Sequence, residues 1–581
     1  MNKNQQSPHI LARIPLVIII TLCIWSITPI LIADLTSPDS LDIPVQTPVN
    51  ITILAVNDFH GQITSGKMVN NSPVGGLGSM ASYLMEVVNN SGEERTIIAL
   101  PGDITGASTP ESALLLDEPT LLFYNLFSGN ASKTGQYHPI SSCQVVATVG
   151  NHEFDKGITE LLRKINGGNQ NTTIPHLQNP YPGSATTFVS SNIVYRNTSE
   201  LLLPPYTIRT IGNVSVAFIG AVTNSTPSLV TQGTVTNLTF LDEADSINQQ
   251  VEILKEQGIH AFVILLHEGG TQTPYDGPTR QDVPVTGNVV GIVSRLDSDV
   301  DIVLSAHTDE FTNAFLPNAG GDPVLVTQAY SYGKGFANVS LAVDPSTDDI
   351  IWKTATIVTP YSNVPPGSNP NPDALRLLNN TLTLTNPLIK QVISSTEMNI
   401  TTDRNADGES NLYDLITDSM RDSMQSDFAV LQEEAVRSDI LPGSITIGTM
   451  YKLLPFGNSI VTVHMTGDQI RLLLEQQWNR TIAPTHLLQI SGFNYTYDET
   501  KPISERIISI TRNGSPLEPD QNYSVATIGF LAAGGDGYTV MQLSQPGVTG
   551  SLDVDVLTAY IKTLQTPLVI TQNGRILRAI T

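Results

Sequence analysis

Short apolar runs rich in valine and isoleucine recur along the chain: Ile51 to Val56, Thr96 to Leu100, Val145 to Val149, Val214 to Ile219, Ala261 to Leu266 and Ile302 to Leu304. Each ends in a polar or glycine-containing turn, which predicts strands buried on both faces. Between the first two, Gly78 to Val88 repeats with a helical period, and Ala244 to Gln257 does so before stopping at Gly258. Strand and helix therefore alternate as in an α/β layered domain, with the turns beyond the strand C-termini free to carry function. The predicted domain spans 50–358.

Thr359 to Pro372 interrupts this pattern with Pro360, Pro365, Pro366, Gly367, Pro370 and Pro372, which marks an interdomain boundary. A helix from Asp373 to Ser395 is predicted to complete a linker over 359–395. The remainder, 396–581, mixes periods: Leu412 to Met424 and Thr466 to Trp478 are amphipathic, while Ile460 to His464 and Ile507 to Ile510 read as strands. At the other end, Lys3 and Arg13 precede an apolar run from Ile14 to Ala33. This is an export segment in form, and its length suits either a cleaved signal peptide or a retained anchor over 1–35, followed by a Pro- and Thr-rich spacer, 36–49. The body of the protein is expected outside the cytoplasm, periplasmic, secreted or membrane-anchored, touching a membrane only through an uncleaved N-terminal segment.

Composition narrows the function. With 581 residues, a single core is excluded. A net charge of -25 argues against nucleic-acid binding, so a small phosphorylated substrate would need metal cations or a local basic cluster. The two cysteines, Cys23 in the first apolar run and Cys143, allow no disulfide within the body.

The strand ends carry the chemistry. Ile51 to Val56 leads to Asp58 and His60; Thr96 to Leu100 leads to Gly102 and Asp103; Val145 to Val149 leads to Gly150, Asn151, His152, Glu153 and Asp155. Ala261 to Leu266 leads to His267, and Ile302 to Leu304 leads to His307 and Asp309. A lone histidine after a buried strand is ordinarily a satisfied polar residue, and a Gly-Asp pair is ordinarily a turn. Their ordered recurrence on different strands instead points to a dinuclear metal site.

In this order the residues resemble the calcineurin-like metallophosphoesterases, specifically the bifunctional 5'-nucleotidase, 2',3'-cyclic phosphodiesterase and UDP-sugar hydrolase type with its own C-terminal domain. Ile445 to Asn458, Met465 to Ile470, Leu488 to Asp498 and Tyr523 to Tyr538 carry the likeness in the second half. The resemblance implies a four-layer β-sandwich flanked by helices, plus a second α+β nucleotidase domain joined by a linker helix. It implies that Asp58, His60 and Asp103 hold one divalent ion, with Asp103 bridging to a second held by Asn151, His267 and His307. Zinc, manganese or a similar metal would suit these ligands. It further implies that His152, oriented by Asp155, acts on the phosphoryl group, that Phe456 and Phe530 sandwich a base, that Asp536 meets the nucleoside and that Arg437 meets phosphate.

The pattern also departs from that family. Asp309 stands where a second ligand histidine is usual, and as a ligand it would favour harder ions such as manganese. The usual Asn-x-Gly-Gly-x-Arg segment is here Gln432, Glu433, Glu434, Ala435, Val436 and Arg437, and Arg404 is the one candidate for a further substrate arginine. Asp403, Asn405, Asp407, Gly408, Asn411 and Asp414 also fit the spacing of a calcium loop, against a competing reading as a polar interdomain loop. The expected function is an exported nucleotide phosphomonoesterase acting on nucleoside monophosphates, with extension to nucleotide diphosphates or sugars. A 2',3'-cyclic-nucleotide phosphodiesterase and a non-catalytic surface binding protein are the rivals.

Overall fold

A computed structural model describes residues 47–169, 176–230, 233–478 and 487–579. The export segment and Cys23 lie outside the described residues. Among those described, no helix is long and apolar enough to cross a membrane.

Two six-stranded sheets build the first half. One runs in the order Ile350–Val358, Phe336–Val343, Val49–Ala55, Thr96–Pro101, Gln144–Thr148 and Thr187–Phe188. The other runs Phe311–Pro317, Pro323–Ala329, Val300–Ser305, Ala261–His267, Val214–Val222 and Tyr206–Ile211. Their central strands pair in parallel; antiparallel strands flank them on both sides of the second sheet and on one side of the first, whose other edge, Thr187–Phe188, is parallel. Alternate residues serve opposite faces, as the two-residue period requires. Ile51, Ile53 and Ala55 pack between the sheets with Phe218, Val263, Leu265 and Leu304, whereas Leu54 and Val56 pack outward with Leu77, Met80 and Leu84 of the helix Leu77–Ser91. On the far side, Ile219, Ile264 and Leu266 pack with Ile247, Val251 and Leu254 of the helix Glu243–Lys255. The result is helix, sheet, sheet, helix.

The linker helix runs Pro372–Ile389, shorter than the span to Ser395 expected from sequence. Asn371 caps it by accepting from the Asp373 and Ala374 N–H groups, and Pro372 occupies the first turn, where its missing donor costs nothing. The β-branched run that follows forms a strand, Val392–Thr396, paired with Gly443–Thr446. Ala374 and Leu377 bury into the first core, and Gly78 lies close enough to Leu375 that a Cβ there would meet its Cδ2 at 2.9 Å.

A second core is built on a five-stranded sheet, ordered Gln489–Ser491, Phe428–Leu431, Asn522–Ile528, Ser459–Thr466 and Gln545–Leu552, and a smaller four-stranded sheet. The helices Asn411–Met424, Gly467–Gln476 and Asp553–Thr563 contribute to the same core. Thr466 and Gln469 close a reciprocal capping box at the start of the second.

Asp553, 3% exposed, ties this domain to the turn that carries Phe456. Its N–H donates to the Asn458 carbonyl at 2.8 Å, and its carboxyl accepts from Asn458 Nδ2 at 3.3 Å and from the Val554 N–H at 2.7 Å. Burial pushes its pKa up to about 7, with Asp555 adding to the effect and those two donors opposing it. A carboxyl raised in this way favours the protonated folded state. Stability from this group is therefore present below the unfolded value of about 4 and is lost as pH rises toward 7. In thermal denaturation at pH 4 and pH 7, Asp553→Asn is expected to gain on the wild type at the higher pH. An offset that does not change with pH would contradict this.

Candidate active site

The ligand-bearing residues occupy loops just beyond parallel strand ends, where backbone from several segments converges. Asp58, His60, Asp103, His307 and Asp309 all adopt positive φ, at 47°, 47°, 49°, 78° and 61°. Such conformations cost an L-residue ~1 kcal/mol or more and persist only where the surroundings dictate them. The loops can meet because two positions lack side chains. A Cβ at Gly102 would lie 2.4 Å from His267 Nδ1, and one at Gly150 would lie 2.2 Å from Asp103 Oδ1.

Within this knot two ligand groups form around Asp103. Asp58, His60 and Asp103 offer atoms all within 4.8 Å of one another, as do Asp103, His267 and His307. His267 Nε2 lies 3.2 Å and His60 Nε2 3.8 Å from the same oxygen, Asp103 Oδ2. Their Nδ1 atoms are already engaged, with the Pro101 carbonyl at 3.0 Å and the Gly106 carbonyl at 2.9 Å. That assignment leaves Nε2 of each ring as the ligand atom. Asn151 Oδ1 sits 3.2 Å from His267 Nε2.

The electrostatics are those of a cation site. Burial holds Asp58 well above the usual carboxylate range, with Asp309 and Asp103 raising it further and His267 opposing them. Asp103, despite its burial, is held well below that range by His267 and His152. Burial lowers His60 and His307, favouring the neutral imidazole that a metal requires. Burial also opposes charge on His267, but Asp103 draws it up to about 10. Buried carboxylates, neutral imidazoles and an amide oxygen in one cluster fit divalent cations.

His152 stands beside the cluster. Its Nδ1 meets the Asp155 carboxylate at 3.0 and 3.1 Å, and its backbone N–H donates to Asp103 Oδ1 at 2.8 Å. Burial opposes protonation here too, yet Asp155 and Asp103 raise it to about 9. The ring stacks on Phe456 of the second domain, with centroids 5.4 Å apart. Arg437, Phe456, Phe530 and Asp536 line the same cavity of about 240 Å3 as His60, Asp103, Asn151, His152, Asp155 and His307. Phe530 lies against Gly535, where a Cβ would meet its ring at 2.5 Å.

Some sequence expectations land elsewhere. Asp309 lines the cavity but belongs to neither ligand group, and its charge bears on Asp58 and Lys67. Arg404 does not line the cavity; it pairs with Glu433 at 3.2 Å and donates to the Leu487 carbonyl. The calcium-loop side chains are used locally. Asn405 Oδ1 accepts from the Asp407 and Glu409 N–H groups, Asp407 accepts from the Arg578 N–H, and Asp414 is buried in the helix Asn411–Met424 facing Arg575 at 3.6 Å. Among the described residues, Asp403, Asp407 and Asp414 fall in neither group of side chains that could hold a metal ion.

Sequence reasoning passed over three positioning residues. Glu153 accepts from the Asp103 N–H at 2.9 Å, the Gly150 N–H at 2.6 Å and the Thr105 N–H at 2.9 Å, tying two ligand loops together. Asn57 donates to Asp58 Oδ2 at 2.7 Å while accepting from the Ala329 N–H. Tyr332 stacks on His60 at 4.8 Å, its N–H donating to the Asp58 carbonyl at 2.7 Å.

Comparisons with known proteins bear on the family and the fold. A family model described as 5'-nucleotidase, C-terminal domain, matches residues 390–543. The chain is 32% identical over 554 residues to the cell wall protein Lmo0130 of Listeria monocytogenes, covering 88% of this chain and 67% of that protein. It is 30% identical over 541 residues to the endonuclease YhcR of Bacillus subtilis, covering 91% of this chain but 41% of the relative, so it spans less than half of that protein's length. Among solved structures, a 5'-nucleotidase precursor from Thermus thermophilus superposes with a TM-score of 0.65 at 23% identity, covering 91% of this chain and 99% of that one.

Glu153→Gln places an amide NH2 where backbone donors now converge. It is expected to weaken divalent-metal affinity by roughly 10- to 100-fold, read by metal titration, with the thermal transition preserved. Unchanged affinity would exclude a positioning role.

Proposed function

The chain belongs to the 5'-nucleotidase family, and from that membership we propose that it is an exported metal-dependent phosphohydrolase releasing phosphate from nucleoside monophosphates. One observation carries the reading: His60, Asp103, Asn151 and His307 of the ligand cluster line one cavity of about 240 Å3 with His152 and the aromatic pair Phe456 and Phe530. Residues 50–358 would perform the chemistry, 359–395 would link, and 396–581 would hold the nucleoside. Export is supported by the apolar N-terminal run and by the relative named as a cell wall protein.

Asp58, His60 and Asp103 would hold one divalent ion, and Asp103, Asn151, His267 and His307 a second; zinc, manganese or a similar metal suits both. When bound, such a pair supplies an acidified water and neutralises charge on the phosphoryl group. The chain's own groups do the rest. With Nδ1 committed to Asp155, a protonated His152 has its Nε2 proton to donate to a phosphoryl or leaving oxygen. Arg437, whose guanidinium carbon lies 5.0 Å from the Phe456 ring centroid, brings positive charge beside the clamp. Phe456 and Phe530 offer faces to a base, and Asp536 offers an acceptor for ribose hydroxyls. The intact ligand set favours catalysis over a surface protein with a decayed site.

The test is a nucleotide panel assayed with manganese, zinc or cobalt. Release of phosphate from nucleoside monophosphates is expected, and no release from any of them would refute the proposal. His152→Ala is expected to keep its metal and lose about 10²- to 10⁴-fold in kcat. Phe456→Ala with Phe530→Ala is expected to raise KM for nucleotides far more than for a small aryl phosphate. Asp309→Ala is expected to retain two ions per chain by elemental analysis; loss of one would restore Asp309 to the ligands.

A further inference from the structure

Charged side chains are buried behind the ligand loops. In the helix Gly157–Asn166, which also buries Leu161, Glu160 and Lys164 are 3% and 4% exposed and lie one turn apart. Glu160 and the equally buried Glu118 are both taken up by Arg163, whose guanidinium nitrogens lie 2.8 Å from each. Lys164 turns elsewhere. Its Nζ donates to the Thr105 hydroxyl at 2.7 Å, two residues beyond Asp103. A buried ammonium is costly to desolvate, so one in this place calls for a reason.

The direction of the contact supplies one. An ammonium only donates, so Thr105 Oγ1 accepts from Lys164 and its own proton is left for Glu153 Oε1, at 3.3 Å. Glu153 Oε1 also takes the Thr105 N–H, and Oε2 takes the Asp103 and Gly150 N–H groups. Four donors thus meet one carboxylate, which has about four positions to offer, and the chain of ammonium, hydroxyl and carboxylate runs one way only. It ends on the backbone of Asp103, common to both candidate ligand groups, and of Gly150, which precedes Asn151. The same loop is held further along, where Asp117 Oδ2 accepts from the Gly106 N–H at 3.2 Å and the Gly106 carbonyl meets His60 Nδ1. Burial raises the Asp117 carboxyl, and Lys164 is the foremost charge that holds it below its ordinary range instead.

We propose that Lys164 is a positioning residue of the metal centre: through the Thr105 hydroxyl it fixes Glu153 against the Asp103 and Gly150 N–H groups, and so sets how the two ligand loops stand to each other. The proposal rests on the reading of Asp103 and its neighbours as metal ligands. Without the ammonium, the Thr105 hydroxyl is free to rotate and its proton is no longer committed to Glu153.

Manganese titration of the purified full chain by calorimetry tests this. Lys164→Met and Thr105→Val are each expected to weaken binding roughly 10-fold, the low end of the range for residues behind a ligand. In Lys164→Met/Thr105→Val the loss is expected to match the larger single loss rather than their product, because the two residues act in one chain. Thr105→Ser keeps the hydroxyl and is expected to match the wild type in affinity and in the visible absorption of bound cobalt(II). Tyr181→Phe removes the hydroxyl that donates to the Lys164 carbonyl at 3.1 Å, and is expected to lower the thermal transition while leaving affinity unchanged. Losses that multiply, a Thr105→Ser as weak as Thr105→Val, or a Tyr181→Phe as weak as Lys164→Met would overturn the proposal and leave Lys164 a packing residue. The two Thr105 variants decide the matter if Lys164→Met does not fold. A wild type that takes up no metal would overturn the ligand reading and this proposal with it, whereas wild-type uptake that Lys164→Met and Thr105→Val leave unchanged would overturn this proposal alone.

Discussion

Asp58 and Asp103 are 0% and 2% exposed, and buried carboxylates must find compensating charge or give up their ionisation. Asp103 finds it in His267, whose Nε2 lies 3.2 Å from one of its oxygens, and in His152, whose backbone N–H donates to the other, while Asp58 draws donors from Asn57 and the His307 N–H. The supply is incomplete, as the raised pKa of Asp58 records. The surrounding structure serves this cluster: left-handed backbone at the ligand positions, glycines where loops touch, and Glu153 holding backbone donors from two loops. Removing any of these would leave a charge buried without its partner, which costs more than the loss of an ordinary contact.

The second domain completes the cleft rather than the metal cluster. Phe456 reaches across to stack on His152, and its turn is held from behind by Asp553 through Asn458. The candidate ligand groups and the aromatic pair are thus built on separate cores whose side chains line one cavity. Arg404 pairs with Glu433 and does not line that cavity, and Arg437 is the arginine that does among the described residues.

The sequence made the candidate ligand groups legible because each of their residues follows closely on a buried apolar run, and the periods of two and 3.6 separate strands from helices cleanly there. Its limits were physical. Phe311–Pro317 and Pro323–Ala329 pair as a hairpin, yet Thr312, Asn313, Thr327 and Gln328 are buried in it, so polar residues on the core side break the apolar pattern that would announce these strands. Glu153 stood in plain view beside Asn151 and His152, but its role lies in bonds to N–H groups some fifty residues away. The loop at Asp403 to Asp414 has the spacing of a cation site, but spacing alone does not show that Asn405 Oδ1 turns back to its own loop's N–H groups and that Asp414 faces Arg575. Asp309 occupies a ligand's place in the sequence and a neighbour's place in space.

If compensation of buried carboxylates by two cations organises this cleft, occupancy should follow Asp103, the one carboxylate common to both ligand groups. Elemental analysis of the purified full chain after equilibration with manganese or zinc measures it directly. The expected result is two ions per chain in the wild type and near none in Asp103→Ala, with the circular dichroism of the folded protein retained. Fewer than two ions in the wild type, or two ions kept in Asp103→Ala, would contradict the account.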